Sequence, residues 1–175
     1  TTYQDVDTEG IRHILSQVQS EKPDIVIAML HWGSEYDSSV SKTQEEIRDL
    51  MLQGGVDVIL GTHSHLVGPL EMTTAQGETM LTAYSLGNLL STGEESEDSQ
   101  GLVLKLEFTK KGDQTELTGY HYDPIYLAGN GRTGVGAFEI LKIRDEISLY
   151  ESQYVGGVSQ EVYEALKQSL EQVEV

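Results

Sequence analysis

Five residues in three short segments carry the side chains best suited to chemistry. His31 and Glu35 lie in His31-Trp32-Gly33-Ser34-Glu35-Tyr36, His63 and His65 in Gly61-Thr62-His63-Ser64-His65, and Asn88 in Leu86-Gly87-Asn88. Imidazole nitrogens ligate divalent cations or move protons near neutral pH. A carboxylate accepts protons, and an amide offers an oxygen to a cation or a nitrogen to an oxyanion. The His63-x-His65 spacing on an extended backbone predicts both imidazoles on one side, where they can meet one cation or phosphate. Each residue also has a plainer use. A lone histidine at a strand end is often only hydrogen-bonded, Glu35 suits a solvent-facing or loop-capping position, and Asn88 beside glycine suits a turn. Trp32 and Tyr36 fit rim packing as well as pocket lining.

These segments need elements that bring them together. Ile11, Ile14, Leu15 and Val18 recur at helical spacing behind Asp7, Thr8 and Glu9, which predicts a helix from Asp7 to Ser20. After Lys22-Pro23, the run from Asp24 to Leu30 predicts a strand covered on both faces. Ser41 and Gln44 stand at capping-box spacing, Ile47, Leu50 and Met51 share a face, and Gly54-Gly55 closes the helix. A second buried strand follows from Val56 to Leu60. Helix and strand in alternation predict a parallel α/β sheet with crossover helices on both faces. In such sheets ligands bind beyond the carboxyl ends of strands. His31 follows the first strand, His63 and His65 the second, and Asn88 a strand over Met80–Ser85. Gly33, Gly61 and Gly87 allow tight turns or positive φ at those exits.

Beyond Leu66 the texture changes. Segments 70–74, 79–85, 102–109 and 116–125 predict antiparallel strands, with turns at Gly77 and Lys111-Gly112. The short run Phe138–Ile143 does not settle its own period and is read as a last strand. Val162, Leu166, Leu170 and Val173 predict a terminal helix over Ser159–Val173. The expected organisation is one domain over residues 1–175, with a motif-bearing βαβ part in 1–90 and antiparallel strands plus a helix in 101–175. His13 and His121 read as surface or structural residues. Glu94 to Asp98 reads as a solvated acidic loop, because it lacks the oxygen spacing and glycine of a calcium loop.

Bulk composition narrows the classes. With 29 acidic and 11 basic residues among 175, the net charge is −18, which repels nucleic-acid phosphates and anionic lipid surfaces. No nucleic-acid partner is expected. The absence of cysteine removes disulfides and thiolate ligands. The longest apolar stretch, Ile25–Leu30, is far shorter than the roughly 20 residues that span a bilayer, so no membrane contact is expected from this segment itself.

DIVIAMLHWGSEY, GGVDVILGTHSHLVGPLE and AYSLGN, in that order across Asp24–Asn88, resemble the CapA capsule-biosynthesis family. The resemblance implies a calcineurin-like metallophosphoesterase fold, a four-layer α/β/β/α sandwich of which this chain is the C-terminal half. Within it, His31 resembles the histidine of the fourth metallophosphoesterase motif, and Gly61-x-His63-x-His65 resembles the fifth. The resemblance thus implies His31, His63 and His65 as metal ligands, with His31, Glu35 and Asn88 as catalytic residues. The implied cofactor is divalent manganese, zinc or iron. The family's glycine-aspartate and asparagine-asparagine-histidine motifs are absent from this sequence and are expected upstream of Thr1. Half a coordination shell is then expected here, with weak metal binding, little catalysis and a sheet edge that invites homodimerisation. The implied function is capsule or poly-γ-glutamate synthesis or export at the extracellular face of the bacterial membrane, in an anchored parent protein. The implied partners are an anionic polymer or its export machinery. A non-catalytic scaffold of that machinery and a plain cytosolic phosphoesterase are the alternative readings.

Overall fold

The computed structural model describes residues 7–75, 78–91, 99–129, 139–153 and 158–173. Helix α1 (Thr8–Ser20) starts at Asp7, whose carboxylate accepts from the Gly10 amide at 2.8 Å. That bond satisfies one of the amides a helix N-terminus leaves without a partner. Strand β1 (Ile27–His31), helix α2 (Lys42–Gln53) and strand β2 (Val58–Thr62) follow. The capping box of α2 is complete: the Gln44 amide donates to Ser41 Oγ at 3.2 Å, and the Ser41 amide donates to Gln44 Oε1 at 3.0 Å. Beyond the helix, Gly55 takes φ +77°, a conformation open to glycine.

β1, β2 and β4 (Glu78–Ala83) run parallel, and β3 (Leu70–Ala75) pairs antiparallel with β4, giving the order β1-β2-β4-β3. The predicted alternation of helix and strand is present, but both helices cover one face rather than two. Ile11 and Leu15 of α1 share a core with Ile47, Met51 and Leu52 of α2 and with Ala28, Ile59 and Met80 of the sheet. The helices are tied side by side where Gln19 Nε2 donates to the carbonyls of Gly54 and Gly55, both at 3.1 Å.

A second difference concerns β1. The run Ile25–Leu30 predicts cover on both faces, yet Ile27 is 45% and Met29 77% exposed, while Ala28 and Leu30 face the helices. β1 is the edge strand, and cover of the second face stops short of it. At the interior strands, Val58, Ile59, Met80 and Leu81 are fully buried, so that β2 and β4 are covered on both sides.

The antiparallel second sheet has the order β5-β6-β7, from β5 (Gln100–Lys111), β6 (Gln114–Ala128) and β7 (Glu139–Lys142). Gly112 turns the β5–β6 hairpin at φ +64°. The ambiguous run 138–143 resolves into both candidates: 139–142 pairs with β6, and Ile143 begins helix α3 (Ile143–Glu151), fully buried. Helix α4 (Gln160–Val173) matches the expected terminal helix. Leu102, Ala128 and Leu141 of the second sheet form its core with Ile143 of α3, Val158 just before α4, and Leu166 of α4. The two sheets are linked by amides donating to carbonyls, Leu102 to Leu86 and Asn88 to Gln100, each at 2.8 Å, and by the Lys110–Asp24 ion pair at 2.7 Å. The chain is therefore a mixed α/β protein with one largely parallel and one antiparallel sheet. Among the described residues, no helix is long and apolar enough to cross a membrane. The acidic run 94–98 and the turn at Gly77 lie outside the described residues.

Candidate functional site

Because β1, β2 and β4 are parallel, their carboxyl ends share one edge of the sheet, the place where ligands bind in α/β folds. His31 is the last residue of β1 and lies opposite Thr62, the last of β2, with His63 next in the chain. Backbone bonds stitch the three exits together. The Trp32 amide donates to the Thr62 carbonyl at 3.1 Å, the Tyr36 amide to Ser64 at 2.8 Å, and the Leu86 amide to Gly61 at 3.1 Å.

The histidines divide into two groups. The rings of His31 and His63 approach to 4.3 Å between centroids, tilted by 44°. The Thr62 hydroxyl lies 3.4 Å from His31 Nδ1. His65 stands with the other two candidates: its Nδ1 is 3.1 Å from Asn88 Oδ1, and its Nε2 is 3.9 Å from Glu35 Oε1. Its ring also stacks on Tyr36 at 5.4 Å. With the Asn88 oxygen as acceptor, Nδ1–H of His65 is the donor, and Nε2 is the ring nitrogen on the side of Glu35. The Glu35 side chain is 59% exposed, so its attraction to a protonated His65 is largely screened.

The extended backbone expected for His63-x-His65 is not what forms. His63 has φ +110° and His65 φ +65°, which turns the two imidazoles to different partners. Tyr36 is also left-handed, at φ +58°. Such conformations in residues other than glycine cost about 1–3 kcal/mol each and persist where the surroundings over-determine them. Here the Tyr36–Ser64 bond and the Ser64 hydroxyl, donating to the Leu66 carbonyl at 2.9 Å, supply that restraint.

Behind the rim, Trp32 packs with Tyr84 of AYSLGN, and this pair joins two residues the sequence did not single out, Arg48 and Glu71. Trp32 Nε1 donates to the Tyr84 carbonyl at 2.9 Å, and the two rings stack 5.6 Å apart. The Tyr84 hydroxyl donates to Glu71 Oε2 at 2.9 Å. Arg48 Nη1 donates to the same hydroxyl at 2.9 Å and to both Glu71 oxygens at 3.0 and 3.2 Å. Burial, then the bond to Glu71, pushes the Tyr84 phenol up to about 12. The signal for Arg48 in the sequence is slight, an arginine set among Ile47, Leu50 and Met51 on the inward face of α2. Gly33 and Gly87 have positive φ as expected, at +85° and +68°. Gly61 is needed for a different reason: a Cβ there would collide with the Tyr84 carbonyl oxygen and Trp32 Nε1.

As a donor set, His31 and His63 offer two imidazole nitrogens from adjacent strand ends, a ligand type suited to a borderline cation such as zinc or iron. Among the described residues no three His, Asp or Glu side chains gather into one ligand set. The pair therefore fits two positions of a coordination shell. Of the remaining histidines, His13 is exposed, and His121 pairs with Glu107 at 3.5 Å, a partner not visible in the sequence.

Comparison with known proteins adds to this geometry. The family model described as "Bacterial capsule synthesis protein PGA_cap" matches residues 2–93, which include all five site candidates. Over 67 residues the chain is 36% identical to the PGA biosynthesis protein CapA of Bacillus subtilis (strain 168). It is 37% identical, also over 67 residues, to the capsule biosynthesis protein CapA of Bacillus anthracis. Each alignment takes in 38% of this chain but only 17% and 15% of the respective relative.

Proposed function

Since this chain belongs to the bacterial capsule synthesis family PGA_cap, we propose that it acts in making or exporting an anionic capsule polymer of the poly-γ-glutamate kind. The site is a metal-dependent, phosphoesterase-like centre at the strand ends, in the C-terminal part of a four-layer metallophosphoesterase sandwich. The work takes place at the extracellular face of the bacterial membrane, in a longer, membrane-anchored polypeptide. The observation that carries the reading is the gathering of His31, His63, His65, Glu35 and Asn88 at the exits of three parallel strands, inside the segment the family model matches.

In this reading His31, His63 and His65 hold divalent cations, with further ligands drawn from other parts of the longer protein. When bound, such cations polarise a phosphoryl or amide oxygen and activate water. Asn88 orients His65 through the Nδ1 contact, and Glu35 accepts a proton at its exposed carboxylate or orients substrate. With a net charge of −18, this part of the protein holds a polyanion only through bridging cations.

Titration of the full-length protein with Mn²⁺ and Zn²⁺, followed by assay on phosphoester and γ-glutamyl substrates, tests the proposal. Saturable binding lost in His63→Ala, together with hydrolysis, supports it. A second reading, equally compatible with the family membership, is a non-catalytic scaffold of the export machinery with a degenerate site. Absence of metal binding and hydrolysis in a protein whose His63→Ala variant still stops polymer production establishes the scaffold instead.

A further inference from the structure

We propose that Tyr84 is a positioning residue for the strand-end rim, clamped at both ends so that the exits carrying His31, His63 and Asn88 keep one relative placement. Its backbone carbonyl accepts the hydrogen bond of the Trp32 indole N–H, and Trp32 directly follows His31. The same carbonyl oxygen closes against Gly61, two residues before His63, at an approach only glycine allows. The chain then runs four residues from Tyr84 to Asn88. At the other end, the phenol is fixed by two charged partners from separate elements, Arg48 on α2 and Glu71 on β3.

The directionality of these bonds makes the clamp specific. Arg48 Nη1 spans both Glu71 oxygens and the Tyr84 oxygen, while Nε and Nη2 hold Asp49 at 3.0 and 2.9 Å. The Arg48 side chain is 15% exposed, so its planar fork is held within the packed face of α2. Rotation of the Tyr84 ring would break both phenol bonds and the stack on Trp32 together. An apolar ring of similar size fills the same space, and packing alone therefore does not require the hydroxyl.

Tyr84→Phe and Glu71→Gln separate positioning from packing in the full chain. Three quantities are read: the thermal midpoint, the nuclear Overhauser contact between the His31 and His63 rings, and the dissociation constant for Mn²⁺. Only the last rests on the metal reading given above. The expected result is a ring-to-ring contact weakened at least about twofold and Mn²⁺ binding weakened about tenfold, the usual scale for loss of an outer support. The Tyr84→Phe, Glu71→Gln double variant should be no worse than either single one, because both open the same clamp. If either variant fails to fold, Arg48→Lys is read in the same way, since it keeps the charge but loses the fork. A lowered midpoint with unchanged ring contact overturns the proposal. If the unmodified protein binds no Mn²⁺, the metal reading fails while the ring contact still decides the role of Tyr84.

Discussion

Trp32 and Tyr84 are joined twice, by an indole N–H donating to a backbone carbonyl at 2.9 Å and by ring stacking at 12° between planes. Trp32 is the single tryptophan of the chain, so its emission reports directly on the rim. The junction leaves no room at Gly61, where an added Cβ meets the carbonyl and the indole nitrogen at once. Gly61→Ala should destabilise the fold by about 3 kcal/mol, the upper range for overpacking against backbone. Urea denaturation followed by Trp32 fluorescence checks this, and an unchanged midpoint and emission maximum would show that the junction gives way easily.

The raised pKa of Tyr84 predicts a loss of stability in base. The unfolded phenol releases its proton near 10, whereas the folded one holds it to about 12. Between those values the native state binds more protons than the unfolded state, so stability is complete below pH 10 and falls as pH rises towards 12. The full shift corresponds to at most about 3 kcal/mol. Base titrations of the unmodified chain and Tyr84→Phe should converge over this window, because the variant lacks the titrating group. Parallel curves would contradict it.

Thr82 is fully buried on β4, and its hydroxyl has no hydrogen-bond partner among the described residues. A buried hydroxyl without a partner costs free energy that an isosteric methyl does not. Thr82→Val should raise stability by about 1 kcal/mol, read as a higher denaturant midpoint at unchanged slope. A lower midpoint would mean that the hydroxyl finds a partner in solution.

Ile27 and Met29 sit exposed on edge strand β1, which carries neither lysine nor proline to discourage pairing. Exposed strand edges of this kind template association with other strands. The isolated chain should therefore self-associate as concentration rises, and Met29→Lys should shift it towards monomer in sedimentation velocity. Equal sedimentation of both proteins across the range would remove β1 as the contact.

Much of this architecture is written locally. Asp7, the Ser41–Gln44 box and Gly54-Gly55 mark helix ends through bonds within a few residues, and all three form as their spacing predicts. The sequence places His31, His63 and Asn88 at or after the ends of three strands, β1, β2 and β4, and parallel pairing alone brings those ends to one edge. The three motifs likewise suffice to point to the family. What tertiary structure decided is everything that depends on a neighbour distant in sequence. The exposed face of β1 follows from its edge position, which the apolar run Ile25–Leu30 does not encode. The separation of His63 from His65 follows from left-handed backbone held by Tyr36 and Ser64, against the extended form that their spacing favours. The clamp on Tyr84 joins residues 32, 48, 61, 71 and 84, and no local period announces it. Short-range bonds are legible because their partners are fixed by chain geometry, whereas these contacts exist only once the sheets and helices have packed.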